Sequence, residues 1–488
     1  MNYPVYTPYI QPYTTSLKKA LNDGWISSQG EFIEKAAAVC KEKLNVSYVV
    51  LVNNGTSATH LLYKSIRFKY PHIKKIYVPN YVFVAVWNCA LYEYDSTQIE
   101  VLPVNPETMN IDESSLQNLD SDSAVVIVHN IGNVVDVPKL KEKRPDLVFV
   151  EDCCEAFFES YPNGKKTGTE SLCAAISFFG NKVITTGEGG LWYTNDKELY
   201  EYIYKSCHHG ITSERYIYDV LGYNYRMTNL QAALLYDQMI DIEQIIDNKC
   251  KVRDRYNRLF ENTEFKPITN GIWMFVLRVP FSISSSLQWY GIDTRPMFYP
   301  IQRHLHLKNI ITHVQNKDVR HDEIIMIPSS PMLSIFDQVY IANAFKQATK
   351  KIKLSIVRAT KDLLTDFCSN TMPSTFRYFS KHSVDECLST HTLTLIGLVD
   401  NIPIAYGHID DRWIGVCILP DYQSKKYGTA IMDFLIDFAK LKSIPLRLTV
   451  DKENVHAQKL YTRYGFEIIS STESYHYMTN DSSSSIHR

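Results

Sequence analysis

The 488-residue chain lacks any run of the ~18 consecutive apolar residues that a membrane-spanning helix needs. Its first residues, MNYPVYTPYIQPY, contain no basic segment followed by an apolar one, so we do not expect a secretory signal there. Charges nearly cancel, with 51 Lys plus Arg against 53 Asp plus Glu. This balance gives no general attraction to nucleic acid or to an anionic membrane, and we expect a cytoplasmic protein with neither as a partner.

Closely spaced cysteine pairs are also missing. The ten cysteines are scattered between Cys40 and Cys417, without a CxxC pair or a short disulfide framework. This spacing predicts reduced and mostly buried thiols, and no metal site. The chain contains no internal repeat.

Short apolar runs alternate with helical patterns over residues 1–240. The run YVVLVNN (48–54) predicts a strand, and GTSATHLLYKSIRF predicts a helix directly after it. Three further runs, IKKIYVPN, AVVIVHN and DLVFVEDC, are rich in β-branched residues and end in polar clusters. Strands separated by helix-length segments predict a parallel sheet with crossover connections, and therefore an α/β architecture.

The chain divides into an N-terminal unit over 1–349 and a C-terminal one over 350–478. We expect a large lobe over about 13–240 and a small α+β lobe over about 241–349. The basic segment KQATKKIK (346–353) predicts a linker between two independently folded units. A second α/β pattern follows it, and the polar tail 479–488 is predicted to be disordered.

Three features of the first unit point to an anion and an aromatic cofactor. Gly55, Thr56 and Ser57 lie between a strand and a helix, where backbone N–H groups can bind a phosphate. Asp152 ends an apolar strand, at the edge where α/β sheets bind ligands. Lys182, in SFFGNKVITTGEGG, is of the type that forms Schiff bases in partly apolar pockets. Taken singly, these positions are more often an N-cap, a solvated Asp and a surface Lys.

Four motifs occur in an order that resembles one family. GTSA, EDxxE, SFFGNKVITTGEGG and GYNYRMTNLQAA resemble the DegT/DnrJ/EryC1/StrS family over roughly the first 350 residues. The resemblance implies a sugar aminotransferase of the aspartate-aminotransferase fold (fold type I) that uses pyridoxal phosphate. Lys182 matches the Schiff-base lysine that shuttles a proton, and Asp152 matches the carboxylate that keeps the pyridinium nitrogen protonated.

The same resemblance implies roles for further residues. Glu155 stands beside the ring, where Glu is typical of members resembling GDP-perosamine synthase. Asn224 matches an Asn that reaches the phosphate of the partner subunit, which implies a homodimer. The remaining matches are the phosphate-binding Thr56, Ser57 and Ser177, the ring-stacking Phe83, and the substrate-contacting or merely packing Trp25, Ser28 and Arg295. We expect Tyr223, Tyr225 and Met227 to pack in the core.

Retention of a lysine at 182 favours transamination, because the related 3-dehydrases have His there. The GYNYRMTN motif resembles the version in enzymes that aminate C4 of a nucleotide-linked 4-keto-6-deoxy sugar. L-glutamate is the expected amino donor.

The segment WIGVCILPDYQSKKYGTAIMDFLIDFAK predicts a strand, a polar loop and a helix whose N-terminal amides can hold a pyrophosphate. It resembles the GNAT acetyltransferase superfamily, which implies acetyl-CoA as a co-substrate. Gln423 and Gly428 match the loop consensus, whereas Lys426 replaces its middle glycine. A Cβ there is expected to restrict a positive φ or the approach of the phosphates, although the added charge favours them.

The later segment VDKENVHAQKLYTRYGFE matches the end of the GNAT pattern. The resemblance implies that Tyr461 protonates the departing CoA thiolate and that the backbone of Val416, Cys417 and Ile418 follows the pantetheine arm. Asn454 is either a cofactor contact or a plain helix N-cap. His408, near Asp410 and Asp411, is a candidate general base, or else a structural strand histidine.

The two units predict sequential chemistry, since an aminotransferase makes a primary amine and a GNAT enzyme consumes one. We expect amination at C4 and then N-acetylation of the same sugar. One alternative is an aminotransferase whose GNAT unit is degenerate, serving binding or assembly, or acts on an unrelated amine. Another is a non-catalytic regulator, which the joint presence of Lys182 and Asp152 disfavours.

Overall fold

The computed structural model describes residues 2–280, 282–310, 323–371 and 382–481. A seven-stranded sheet in the order β1-β7-β6-β5-β4-β2-β3 forms the centre of the large lobe. Its strands are β1 (Tyr48–Val52), β2 (Ile76–Pro79), β3 (Ile99–Leu102), β4 (Ala124–Val128), β5 (Val148–Asp152), β6 (Ala174–Ser177) and β7 (Gly190–Thr194). The strand runs predicted at 48–54 and before Asn80, Asn130 and Cys154 are confirmed.

The strands predicted to be parallel, β1, β2, β4 and β5, run in one direction, although the sheet as a whole is mixed. β2 to β6 are parallel to one another, whereas β7 is antiparallel to both β6 and β1. The segment between β6 and β7 contains no helix, so it returns the chain beside β6 without a crossover. This return carries Lys182 along the edge where β5 and β6 end.

Seven helices surround this sheet in the described part of the lobe. They are α1 (Thr15–Asn22), α2 (Glu31–Leu44), α3 (Gly55–Lys69), α4 (Ala85–Glu93), α5 (Val137–Lys143), α6 (Lys197–Cys207) and α7 (Asn229–Ile240). Residues 57–66 of α3 are all buried, and Leu61, Leu62 and Ile66 belong to the apolar core. Burial of α3 on nearly every side fixes its N-terminus against the ends of the central strands.

The small lobe packs a helix pair on a second sheet, in the order β10-β11-β9-β8. Its elements are α8 (Ile242–Phe260), β8 (Lys266–Pro267), β9 (Phe275–Arg278), α9 (Ser284–Trp289), β10 (Arg295–Pro296), β11 (Ile324–Ile327) and α10 (Ile335–Lys350). The sequence DIEQIIDNKCKVRDRYNRLF (241–260) and the amphipathic stretch near 335–349 predict helices, and both are confirmed as α8 and α10.

The C-terminal domain is built on a third sheet, in the order β12-β13-β14-β15-β16-β18-β17. Its strands are β12 (Ser355–Arg358), β13 (Leu393–Val399), β14 (Ile402–Asp410), β15 (Trp413–Ile418), β16 (Arg447–Asp451), β17 (Glu467–Ser471) and β18 (Tyr475–Thr479). Its helices are α11 (Lys361–Ser369), α12 (Val384–Thr390), α13 (Tyr427–Lys442) and α14 (Val455–Arg463).

Three of these elements, α12, β17 and β18, were not predicted. β18 extends to Thr479, which is paired with Arg447 and Glu467. The first residue of the predicted disordered tail is therefore still part of a sheet. Residues 482–488 of that tail lie outside the described residues.

The basic segment 346–353 is not a solvated linker, and the prediction of one was wrong. Residues 346–350 continue α10, and this helix packs against α13 of the C-terminal domain. Lys346 Nζ lies 2.6 Å from Asp437 Oδ2, and Lys350 Nζ lies 2.7 Å from Asp433 Oδ2. One apolar core runs from the small lobe into the C-terminal domain, and it includes Phe345 and Phe434. The two units are therefore not independent in the fold.

All ten cysteines are free, and seven of them are buried, as predicted. No helix among the described residues is long and apolar enough to cross a membrane.

Candidate active site

Lys182 lies on the return between β6 and β7, enclosed by the small lobe. Its Nζ is 4.0 Å from Glu155 Oε1 and 4.4 Å from the centre of the Trp273 ring. The Tyr6 hydroxyl donates to the Lys182 carbonyl at 2.8 Å, and the Trp273 indole N–H donates to Asn181 O at 2.9 Å. These contacts hold the lysine backbone in place while its side chain faces a buried carboxylate.

Glu155 is the carboxylate that faces this lysine. Its Oε2 accepts a hydrogen bond from the Ile131 N–H at 2.8 Å. Burial raises the pKa of Glu155 to about 7, although Lys182 and the Ile131 N–H act in the opposite direction. A carboxyl group with a pKa near neutrality is able both to hold and to release a proton under physiological conditions.

Asp152 ends β5 and is buried at the same edge of the sheet. Its Oδ2 accepts from the Thr59 hydroxyl at 3.1 Å, and its Oδ1 accepts from the Cys154 N–H at 2.9 Å. Both donors fix the orientation of the carboxylate. A buried, oriented carboxylate suits a protonated ring nitrogen as its partner.

Two serines meet at the N-terminus of α3. A Cβ on Gly55 would lie only 2.6 Å from Ser177 Oγ, so only glycine allows β6 to approach the helix this closely. Asn54 caps α3 by accepting from the Ser57 N–H at 2.8 Å. Ser57 Oγ donates to Asn53 Oδ1 at 2.8 Å, and Thr56 is exposed at the helix end. The structure therefore brings together the predicted phosphate-binding residues Thr56, Ser57 and Ser177.

Two further predicted cofactor contacts lie near this site. The Phe83 side chain is 54% exposed, and its ring centroid is 5.9 Å from that of Phe298. The Asn224 carbonyl accepts from Asn53 Nδ2 at 3.4 Å, and its side-chain oxygen accepts from Arg226 Nε at 3.0 Å. Asn224 thus lies beside the start of α3 in its own chain, and its contribution across a dimer stays a prediction.

The segments predicted to contact substrate lie at the surface. Trp25 is 57% exposed and its carbonyl accepts from Asn229 Nδ2, while Ser28 is half-buried and Arg295 is exposed. The rings of Tyr223 and Tyr225 stack on each other at 4.8 Å. Met227 is buried in the core, as predicted.

These residues fit pyridoxal phosphate. The cradle between Gly55 and Ser177 suits its phosphate, Asp152 suits its ring nitrogen, and Lys182 suits its aldehyde carbon. When bound, this cofactor supplies an electrophilic carbon and an aromatic system that accepts the electrons of a carbanion.

The C-terminal sheet opens between β15 and β16. These parallel strands are paired only at Trp413 and Arg447 in the described chain, and they diverge beyond this pair. Val416, Cys417 and Ile418 lie on the diverging part of β15. An opening of this kind leaves backbone groups of β15 available to an extended ligand such as the pantetheine arm of CoA.

The polar loop that follows β15 leads to the start of α13. Gln423 Nε2 donates to the Ile418 carbonyl at 3.1 Å. A Cβ on Gly428 would be 3.7 Å from Ile418 and 3.8 Å from Leu460, so this glycine lies between β15 and α14. Lys426 adopts a φ of 67°, so its Cβ does not prevent the left-handed conformation. The charge of Lys426 stands beside the N-terminus of α13.

Tyr461 is partly buried on α14, facing the same opening. Burial raises its pKa to about 12, with a further contribution from Cys417 of β15. A phenol that stays protonated at neutral pH suits the predicted role of a proton donor to a thiolate. Asn454 caps α14, since its Oδ1 accepts from the Ala457 N–H at 3.0 Å. This contact does not test the predicted cofactor contact of Asn454.

His408 is buried on β14, and its ring stacks on that of His391 at 4.6 Å. Burial lowers its pKa to about 3, and the neighbouring His391 and His382 act in the same direction. A base this weak removes a proton from an amine poorly near neutral pH. Asp411 lies exposed in the turn after β14, away from His408. The role of His408 as general base stays a prediction, and the burial of its ring does not favour that role.

Sequence reasoning missed three residues of the first site. Tyr6 bonds to Lys182 from 176 residues away along the chain, and Trp273 bonds to Asn181 from 92 residues away, and no local pattern signals such contacts. Thr59 could have been found, because it lies one turn after Gly55 on the buried face of α3.

The first site defines a pyridoxal-phosphate-dependent aminotransferase, and the unit that carries it is joined to a domain whose sheet opening suits an acyl-CoA. Residues 11–346 match the sequence model of the DegT/DnrJ/EryC1/StrS aminotransferase family, and the chain belongs to this family. Residues 360–466 match the acetyltransferase (GNAT) family. Pyridoxal phosphate and acetyl-CoA are the corresponding cofactor and co-substrate.

Relatives are similar along the first unit. The chain is 32% identical to "GDP-perosamine synthase" of Escherichia coli O157:H7 over 366 residues, which covers 70% of this chain and 98% of the relative. It is 25% identical to "UDP-4-amino-4,6-dideoxy-N-acetyl-beta-L-altrosamine transaminase" of Campylobacter jejuni, covering 69% and 95%. The solved structure of Helicobacter pylori PseC, "aminotransferase involved in the biosynthesis of pseudoaminic acid", superposes with a TM-score of 0.65 at 22% identity, covering 72% of this chain and 100% of that one. This likeness confirms the fold-type-I prediction.

Proposed function

We propose that the chain is a bifunctional nucleotide-sugar enzyme. Its first unit transfers the amino group of L-glutamate to C4 of a nucleotide-linked 4-keto-6-deoxyhexose. Its C-terminal domain then transfers an acetyl group from acetyl-CoA to the new amine. The product is a nucleotide-linked 4-acetamido-4,6-dideoxyhexose.

One observation supports the amination above all others. Lys182 Nζ faces the buried Glu155 carboxylate at 4.0 Å, at the sheet edge where Asp152 and the α3 cradle meet. The Lys182 amine is placed to move a proton between the cofactor and the carbon that receives the amino group, and Glu155 is placed to share that proton. Asp152 is placed to hold a proton at the ring nitrogen.

The choice of C4 and of the sugar class is supported by the relatives. One of them is named for a 4-amino-4,6-dideoxy product, and another for perosamine carried by GDP. We infer a related 4-keto-6-deoxy sugar as substrate here.

The acetylation needs a different set of groups. The sugar amine nitrogen attacks the acetyl carbonyl carbon and loses one proton to water as the amide forms. The C–S bond breaks, the CoA sulfur takes the proton of the Tyr461 hydroxyl, and the solvent returns a proton to Tyr461. The splayed β15–β16 edge and the start of α13 are placed to bind the pantetheine and the pyrophosphate.

An exposed apolar patch supports a homodimer of the first unit. The loop between α6 and α7 exposes several large apolar side chains close to the Asn224 motif. They are Ile211, Tyr216, Ile217, Tyr218 and Leu221. A partner subunit that covers this loop would bring Asn224 to a second phosphate site.

Two variants of the full chain test this proposal. Mass spectrometry follows the nucleotide sugar after incubation with pyridoxal phosphate, L-glutamate, acetyl-CoA and a panel of nucleotide-linked 4-keto-6-deoxyhexoses. Lys182→Ala is expected to abolish both products. Tyr461→Phe is expected to accumulate the free 4-amino sugar, with acetylation at least about 100-fold slower, because it removes only the proton donor.

Two outcomes would contradict the proposal. Amination at the wild-type rate in Lys182→Ala would exclude the assigned chemistry of the first unit. A wild-type chain that aminates the sugar but never acetylates it would leave an aminotransferase whose GNAT domain binds, assembles or acts on an unrelated amine.

A further inference from the structure

The last helix of the aminotransferase unit is buried on both sides. Gln338 of α10 donates to the Val252 carbonyl of α8 at 2.8 Å, on the small-lobe side. Asn343 donates to the Ala430 carbonyl of α13 at 3.1 Å, on the other side. The same helix therefore packs in the small lobe and against the helix that follows the polar loop of the C-terminal domain.

Two ion pairs join α10 to α13 beyond this contact. Asp433 and Asp437 are nearly buried on α13, with side chains only 9% exposed, and each faces a lysine of α10. A carboxylate removed from water needs such a partner, because an unpaired buried charge is strongly unfavourable. Lys350 and Lys346 supply it from the other unit.

Asp433 also contacts the segment that ends α14. Lys350 Nζ is 2.7 Å from its Oδ2, whereas the Tyr464 hydroxyl is 2.8 Å from its Oδ1. The same hydroxyl lies 3.1 Å from the Thr429 carbonyl, in the first turn of α13. Tyr464 directly follows α14, which carries Tyr461. The Asp433 carboxylate thus joins α10, α13 and α14.

We propose that Lys350 of the aminotransferase unit is a positioning residue of the acetyl-CoA site, acting through Asp433 and Tyr464. The start of α13 and the length of α14 border the opening in which CoA is placed. Lys350 fixes one oxygen of Asp433, and Tyr464 fixes the other, so the spacing of the two helices depends on a residue outside the C-terminal domain. This inference rests on the acetyltransferase half of the proposed function.

Binding of CoA by the full-length chain tests the proposal, with calorimetry as a readout independent of catalysis. Lys350→Met and Tyr464→Phe are each expected to raise the Kd for CoA about three- to tenfold, in the range of coupling through a contiguous network. The double variant is expected to have the same Kd for CoA as the single variant that binds CoA less tightly, because both changes disrupt one network. The KM for acetyl-CoA should rise in parallel, while transamination stays within about twofold of wild type.

Lys361→Met is the matched control. It breaks an exposed ion pair between Lys361 and Asp385, which both lie in the C-terminal domain. It should leave the Kd for CoA unchanged. Tyr464→Phe leaves the Lys350–Asp433 pair intact, so it provides the test if Lys350→Met does not fold.

Three results would overturn the proposal: an unchanged Kd in both variants, an equal loss in Lys361→Met, or losses that multiply in the double variant. A wild-type chain that does not bind CoA would overturn the acetyltransferase function together with this inference. Wild-type binding with unaffected variants would overturn the inference alone.

Discussion

The Ile131 N–H donates to Glu155 Oε2 at 2.8 Å, and Ile131 makes this contact from a φ of 52°. A β-branched residue in the left-handed region is strained by about 1–3 kcal/mol, and such strain persists only where the surroundings enforce it. The surroundings here include the Thr269 hydroxyl, which donates to the Ile131 carbonyl at 2.7 Å. The loop after β4 therefore directs a backbone donor at the carboxylate that faces Lys182.

Glu155→Gln is expected to change how stability depends on pH. The pKa of Glu155 is raised by burial to about 7, from its ordinary value of 4.5. The folded chain thus binds a proton that the unfolded chain releases, so this group lowers stability as pH rises from about 5 to about 7. Above about pH 7, this group lowers the free energy of unfolding by about 3 kcal/mol.

Thermal unfolding of the cofactor-free chain between about pH 5 and about pH 8 checks this prediction. The Tm of Glu155→Gln should rise relative to wild type as the pH increases. The surface variant Glu113→Gln should show no such trend. A Tm difference between Glu155→Gln and wild type that does not change with pH would contradict a buried Glu155 carboxyl group with a raised pKa.

Lys249→Met is expected to destabilise the chain most at alkaline pH. The Lys249 ammonium is buried on α8 and donates to the Trp273 and Ser329 carbonyls at 2.7 and 2.9 Å. Burial lowers its pKa to about 7, so its neutral form is favoured in the fold. The stability contributed by Lys249 is therefore present at high pH and is lost as pH falls from about 10 to about 7.

At about pH 9, Lys249→Met should cost about 1–3 kcal/mol for each carbonyl left without a donor. The penalty should shrink as the pH is lowered, and the Tm at about pH 6 and about pH 9 measures it. Lys251→Met, on the exposed face of the same helix, is the matched control. If Lys249→Met destabilises the chain more at acid pH than at alkaline pH, the assigned direction of the Lys249 pKa shift is contradicted.

Thr59→Ala is expected to weaken the binding of pyridoxal phosphate. It removes the hydroxyl that orients Asp152 at 3.1 Å. Loss of one hydrogen bond of about 1 kcal/mol corresponds to about a fivefold higher Kd for the cofactor. Titration of the cofactor-free chain, followed by cofactor absorbance, measures this Kd.

Ser65→Ala is the control for that experiment. Its hydroxyl is equally buried on α3 and donates to the Leu61 carbonyl within the helix. Equal effects of the two alanine variants would indicate a general disturbance of α3 and contradict a role for Thr59.

Lys426→Gly is expected to stabilise the fold and weaken CoA binding at once. A glycine relieves the left-handed φ of 67°, for a net gain of about 0.5–1 kcal/mol. Loss of the positive charge beside the start of α13 should raise the Kd for CoA severalfold. Unfolding curves and calorimetry separate the two effects.

Ser424→Gly is a matched change in the same loop, because Ser424 also has a positive φ, of 62°, but carries no charge. It should share the gain in stability and keep the affinity for CoA. A weaker Kd in Ser424→Gly would assign the effect to loop flexibility instead of charge.

Local patterns predicted most elements, because periodicity and turn residues act over a few positions. α3, α8, α10 and α13 were predicted within a residue or two, and so were the strands that end at Asp152 and Ile418. The direction of β7 was missed, since it depends on how the chain returns over the sheet and not on the composition of the strand.

The linker at 346–353 shows a second limit of sequence reasoning. Its lysines resemble a solvated segment, but Lys346 and Lys350 pair with aspartates 91 and 83 residues later in the chain. Only the tertiary fold brings these charges together. In the same way, family motifs predicted Lys182, Asp152 and Ser177, whereas Trp273 and Tyr6 were found only in the structure.

One isotope experiment tests the central claim most directly. The full-length chain is incubated with pyridoxal phosphate, a GDP-linked or UDP-linked 4-keto-6-deoxyhexose, glutamate labelled with ¹⁵N and acetyl-CoA labelled with ¹³C in the acetyl group. Mass spectrometry should detect one nucleotide-sugar product that carries both labels, and only the ¹⁵N label when acetyl-CoA is left out. A ¹⁵N-labelled sugar that never acquires ¹³C would contradict sequential amination and acetylation by this chain.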